Sequence, residues 1–202
     1  MLEPALVAAW IAFCIPWADP LIAAALVQAG SGGESYLVTD AAGQPFAGKT
    51  LVEADAYARK QAANGGELFL GLAQVPLSTL RQEGYRTDDG LDRCGSLDIG
   101  YQAFQAAYQT ALSREKTPAR ALPPAFAYYR AHSFTADSEF ARKAAEYVLK
   151  GRTPAPAPLT LGQRQDMFRE WAAGLAQRMG HRTEAMNSGA QPPSPANPPA
   201  AK

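Results

Sequence analysis

The sequence predicts a mainly α domain with little β structure, followed by a further helix and a loose tail. Three observations carry that prediction. Helix-start signals recur along the chain, at Pro4, Asp19-Pro20, Thr50, Ser78 and Ser96. Behind them, apolar residues return at helical spacing. Glycines or prolines then end the periodic runs, at Gly30, Gly65-Gly66, Gly84 and Gly151.

Composition sets the outer limits. A chain of 202 residues with 47% apolar residues can fill one sizeable core and still leave a tail. Nineteen basic and nineteen acidic residues cancel, which excludes the basic excess that a nucleic-acid partner demands (Lys+Arg 19, Asp+Glu 19). No apolar run reaches the roughly 18 residues of a membrane span, so no transmembrane helix is predicted.

Taken in order, Pro4 opens a first helix over residues 4–13. The same apolar run has the length of a signal-peptide core. However, Glu3 and Cys14-Ile15-Pro16-Trp17 fit neither a basic start nor a cleavage site, so an export segment is the alternative reading. Asp19 caps a second helix, whose Leu21, Ile22, Leu26 and Val27 form an apolar stripe that ends at Gly30. A polar loop then runs through Gly32 and Gly33 to Asp40 and Gly43.

Thr50 with Glu53 reads as a capping box for a helix from Leu51 to about Asn64, with Ala54, Ala58 and Ala62 on a small-residue face. Residues 68–76 read as a buried strand or turn. Ser78 is expected to cap a short helix from Leu80 to Glu83. Thr87-Asp88-Asp89-Gly90 reads as a solvated acidic turn, because its carboxylates lack the spacing of an EF-hand loop. Ser96 is expected to cap the most regular helix, with Tyr101, Phe104, Ala107, Tyr108 and Leu112 inward.

Pro118, Pro123 and Pro124 are expected to break the chain before a helix that carries Phe126 and Tyr129. A helix from about Ser138 to Lys150 turns Phe140, Ala144, Tyr147 and Val148 inward and stops at Gly151. The proline-rich stretch 152–160 is a stiff linker. Beyond it, a helix over 161–180 places Met167, Phe168, Trp171, Leu175 and Met179 on one side, which either packs back on the domain, the default reading, or binds a partner helix. Residues 187–202 lack apolar periodicity and are expected to be disordered. His132 reads as an ordinary loop histidine. Two histidines without clustered ligands predict no metal site, and nothing points to a cofactor.

Several of these segments share one resemblance. Ser31, Gly32, Gly33, Tyr36, Val38, Asp40 and Gly43 resemble, at matching spacing, the active-site segment of lytic transglycosylases. These are lysozyme-like enzymes that cut peptidoglycan, here most similar to the small ones of type IV secretion and conjugation systems. Gly71-Leu72-Ala73-Gln74 resembles their groove motif, and Ala125-Phe126-Ala127-Tyr128-Tyr129-Arg130 resembles the stretch whose tyrosine points at the catalytic carboxylate. The resemblance implies a lysozyme-like fold, of the goose-type or soluble transglycosylase kind, over residues 1–151. It also implies Ser31, Gln74 and Tyr129 as substrate-binding residues.

Each motif has lost a polar group. Gly30 stands where the family has its catalytic Glu, Pro76 replaces an Asn, and Arg130 replaces another. The family's one carboxyl group serves as acid and then base, a variation on the usual two-carboxylate scheme. Its loss removes a contribution on the order of 10² to 10⁴ in rate. Glu34 is the substitute nearest in sequence.

Cys14 and Cys94 also lie at family-like positions, Cys94 within Asp92-Arg93-Cys94. They read either as a disulfide, which implies an oxidising compartment such as the bacterial periplasm, or as two buried thiols. The resemblance thus implies an envelope protein facing peptidoglycan glycan strands, with secretion-apparatus proteins as partners through the last helix or tail. Its activity is impaired, or rests on Glu34, or belongs to an active enzyme whose Glu was replaced artificially by Gly30, or has given way to a scaffold role with a vestigial groove.

Overall fold

The computed structural model describes residues 1–135, 138–151 and 155–187. It shows the expected mainly α architecture with a small antiparallel sheet.

The chain opens with α1 (Pro4–Cys14) and α2 (Pro20–Gly30). Asp19 Oδ1 accepts from the Leu21 and Ile22 amides, which answers two of the donors that a helix start leaves free. In α2 the fully buried face is Ala23 to Val27, while Leu21 and Ile22 lie at its partly exposed edge. Small side chains there let α2 pack closely against α1 and α8 (Glu139–Lys150). Cys14 and Cys94 form a disulfide that ties the end of α1 to the start of α6 (Arg93–Arg114).

The loop after α2 contains structure that the sequence did not announce. Strands β1 (Leu37–Asp40) and β2 (Pro45–Ala47) form a hairpin, and β1 pairs on its other side with β3 (Leu68–Leu70). β4 (Val75–Pro76) completes a four-stranded sheet of order β2-β1-β3-β4. α3 (Leu51–Ala63) covers it with Ala54 and Ala58. Thr50 Oγ1 caps α3 as expected, but Glu53 reaches the Lys49 amide instead of completing a box with Thr50.

Four local expectations are corrected. α4 runs Leu77–Gln82, entered from Pro76 rather than capped by Ser78, whose hydroxyl instead donates to Glu67. The acidic turn is a short helix, α5 (Thr87–Leu91), with Asp89 buried, because its carboxylates meet α9 (Leu161–Asn187) instead of water. α6 is capped by Asp92, which leaves Ser96 inside the helix, facing the turn after β3. Pro118 starts α7 (Pro118–Ala131), and this helix continues through Pro123 and Pro124. Pro123 is exposed, while Leu122, Phe126 and Tyr129 bury the other face, and that packing outweighs two missing amide donors.

Ser138 caps α8, and Gly151 ends it at φ +64°. Of the linker, residues 155–160 are irregular, and the Ala157 amide donates to the Ala5 carbonyl; the remainder lies outside the described residues. α9 packs back on α5 and α6 and extends beyond the expected end. Its inward stripe is Met167, Trp171, Gly174 and Arg178, so Phe168, Leu175 and Met179 face solvent, contrary to the sequence reading. The Arg178–Asp92 ion pair is buried on this inward stripe, and a buried charge pair favours the rotation that keeps it closed. Asn187 ends α9, and the expected disordered tail beyond it lies outside the described residues.

Candidate functional site

The three motifs converge on one turn. Residues 71–74 link β3 to β4, with Gly71 at φ +70° and Gln74 at φ +53°. Gly71 is required there: a Cβ would lie 2.2 Å from the Gly90 carbonyl oxygen. Gln74 takes the left-handed conformation without that licence. Its own amide compensates, donating to the carbonyls of Gly71 at 3.1 Å and Leu37 at 3.3 Å.

Every residue assigned to substrate binding by resemblance lies against this turn. Ser31, at the end of α2, donates through Oγ to the Leu72 carbonyl at 2.8 Å and accepts from the Gly33 amide. Tyr129, on α7, donates its hydroxyl to the Ala73 carbonyl at 2.8 Å. From the far side, Ser96 Oγ accepts from the Ala73 amide. Ser31, Gln74 and Tyr129 are 7%, 1% and 3% exposed. Their polar groups therefore satisfy buried backbone, which would otherwise cost about 1–3 kcal/mol per lost partner. Burial also pushes the Tyr129 hydroxyl pKa well up, so it stays a donor.

Gly30 is the last residue of α2 and looks onto the same turn. A Cβ at this position would lie 2.9 Å from Gln74 Cγ, 3.1 Å from Gln74 Cβ and 3.5 Å from Phe140 Cε2. The volume beside the α-carbon is thus taken by the root of a buried side chain. Arg130 lays its guanidinium over the Phe69 ring, 3.2 Å from the centroid, with Phe140 further off at 5.6 Å. Burial pushes its pKa down to about 10, opposed by Tyr129 and Glu67, and it keeps its charge at neutral pH. Its Nη1 has no hydrogen-bond partner among the described residues.

Glu34 stands apart from this cluster in its bonding. Its Oε1 lies 2.9 Å from the Met1 amino group, and its side chain is 37% exposed. Pro76 pairs with Phe69 in the sheet. An open depression of about 590 Å³ lies elsewhere, lined by Pro123, Phe134, Ala141 and Leu149 among others. His132 ends α7 with positive φ, its Nε2 2.9 Å from Ser78 Oγ. Sequence reasoning missed Phe69 and Phe140 as neighbours of Arg130, because stacking partners from a strand and a distant helix leave no local spacing signal.

The caged turn gives a direct test. Tyr129→Phe leaves the Ala73 carbonyl buried without its donor and is expected to cost about 1–3 kcal/mol in urea unfolding. A loss below about 0.5 kcal/mol would mean that the hydroxyl does not hold the turn.

Fold and site together define a mainly α, disulfide-linked domain in which Gly30, Ser31, Gln74 and Tyr129 meet at one buried turn. Comparison with known proteins then gives a particular likeness. Over 144 residues the chain is 31% identical to the "Type IV secretion system protein virB1" of Brucella abortus biovar 1, covering 68% of this chain and 58% of that protein. The same figures hold for the proteins of that name from Brucella melitensis biotype 1 and Brucella suis biovar 1. The chain thus spans a little over half the length of these relatives, at 58%. No protein-family model matches it, and no solved structure does.

Proposed function

We propose that this chain is an envelope component of a type IV secretion or conjugation apparatus, built on a lytic-transglycosylase-like domain that has lost its acid. It works by binding glycan or partner proteins rather than by cutting glycan. The observation that carries this reading is the Gly30 position: no carboxyl group is present, and Gln74 occupies the space where a side chain would begin. General acid–base catalysis needs a proton donor within hydrogen-bond reach of the scissile oxygen. The order of the motifs and the likeness to secretion proteins named virB1 support the setting. The disulfide fits an oxidising compartment such as the periplasm. Peptidoglycan strands and apparatus proteins are the corresponding partners, the latter through α9 or the tail.

The burial of Ser31, Gln74 and Tyr129 favours a second, narrower reading, a scaffold with a vestigial groove. Two measurements separate the readings. Muropeptide release from purified peptidoglycan is expected to be absent for the parent chain; release that Glu34→Gln abolishes would overturn the proposal and make Glu34 the acid. Co-sedimentation with peptidoglycan then divides a glycan binder, which pellets, from a scaffold, which stays in solution.

A further inference from the structure

α5 and α9 bring three ligand-type side chains to one place. Asp88 and Asp89 of α5 and His181 of α9 each offer an atom within 4.8 Å of the others. Asp89 is 1% exposed, and the side chains of Asp88 and His181 are 15% and 11% exposed. His181 Nδ1 lies 2.9 Å from Asp89 Oδ2.

The neighbours satisfy only half of this carboxylate pair. Asp89 Oδ2 accepts from the Arg86 amide at 2.8 Å, and Asp88 Oδ2 accepts from Gln177 Nε2 at 2.7 Å with Arg59 Nη2 at 3.5 Å. Asp88 Oδ1 and Asp89 Oδ1, both shut off from solvent, have no hydrogen-bond partner among the described residues. Buried carboxylate oxygens left in that state are costly, and native structures seldom leave them without a partner or ion. Burial, then the charges of Asp89 and Asp55, push the Asp88 carboxyl pKa up. Arg59 is largely committed to Asp55, 2.8 Å away, so the cluster lacks a full counter-charge.

We propose that Asp88, Asp89 and His181 form a binding site for a divalent transition cation that fastens α9 to the domain. The donor set argues for the class: two carboxylate oxygens alone suit calcium or magnesium, whereas an added imidazole nitrogen selects zinc and its neighbours. Zinc–oxygen and zinc–nitrogen bonds of about 2.0–2.2 Å put ligands roughly 3–4 Å apart, so a contraction of about 1 Å closes the set. Water completes the coordination. The two orphaned oxygens supply lone pairs, and the imidazole gives up its Nδ1–Asp89 hydrogen bond or coordinates through the other nitrogen. Because the ligands come from helices 92 residues apart, at Asp89 and His181, the cation acts as a clip and not as a local turn.

The test uses the full chain stripped with a chelator and titrated in separate series with Zn²⁺ and with Mg²⁺, followed by calorimetry and thermal melting. One zinc per chain with a rise in Tm is expected, and His181→Gln and Asp88→Asn are each expected to weaken binding about tenfold or more. Asp89 is left intact because it also answers the Arg86 amide at the start of α5. His132→Gln removes the chain's other histidine and is expected to bind zinc as the parent does. No zinc-dependent heat or Tm shift in the parent would overturn the proposal, as would undiminished binding by both ligand variants, or binding lost on His132→Gln. Equal binding of Mg²⁺ and Zn²⁺ would overturn the transition-metal assignment.

Discussion

Asp92→Ala is expected to destabilise the protein by about 3–5 kcal/mol, the range for breaking one side of a buried ion pair. Asp92 Oδ1 accepts from Arg178 Nη1 at 2.7 Å, with the two side chains 8% and 7% exposed, and also from the Gly95 amide at the start of α6. One substitution therefore strands a buried guanidinium and uncaps the longest core helix. The glycines around the pair make room for it: a Cβ at Gly174 would lie 2.7 Å from Asp92 Oδ1, and one at Gly95 2.8 Å from Arg178 Nη1. Urea unfolding followed by circular dichroism reads the loss directly. Arg178→Met in the Asp92→Ala background is expected to recover part of it, since the stranded charge is removed. If the single variant loses less than about 1 kcal/mol, α9 is not anchored through this pair.

The second large effect concerns the covalent tie between α1 and α6. Replacing both Cys14 and Cys94 by serine opens a loop with a sequence separation of 80 residues. In the chain-entropy treatment that loop is worth about 4.5 kcal/mol. The substitution also places a hydroxyl at Cys94, which is buried at 1% exposure. The midpoint of denaturation is expected to fall sharply, and reduction of the parent under native conditions to reproduce most of the fall. An unchanged midpoint after reduction would mean that packing between α1 and α6 alone holds these ends together.

Where structure depends on neighbours in sequence, the chain reads clearly. Asp19-Pro20, Thr50 and Ser138 start their helices because a side-chain oxygen two or three residues away answers a free amide. Gly65 and Gly151 end theirs through positive φ. Where it depends on distant partners, the reading fails. Strands of two to four residues such as β4 and β1 carry too few positions for an alternation to show. Asp88 and Asp89 look like a solvated turn until α9 arrives with Gln177 and His181. Ser96 has the composition of a cap, yet it serves the turn at Ala73.

The same division runs through the candidate site. Gly30, Ser31, Gln74 and Tyr129 were legible as one constellation through motif order, and the structure brings them to the 71–74 turn. Their bonding was not legible. Spacing places a side chain near a cleft but does not say whether its polar atom faces solvent or a backbone carbonyl. Here the carbonyls of Leu72 and Ala73 took them.

The sheet order β2-β1-β3-β4 leaves β2 and β4 as its two edges, and each contains a proline, Pro45 and Pro76. A proline carries no amide hydrogen to offer an incoming strand, and edges this short give little length for pairing. The fold is thereby guarded against edge-to-edge aggregation and against recruiting a partner by strand addition. A partner that docks by adding a strand finds little backbone to pair with on this domain, so side chains rather than generic backbone decide what binds it.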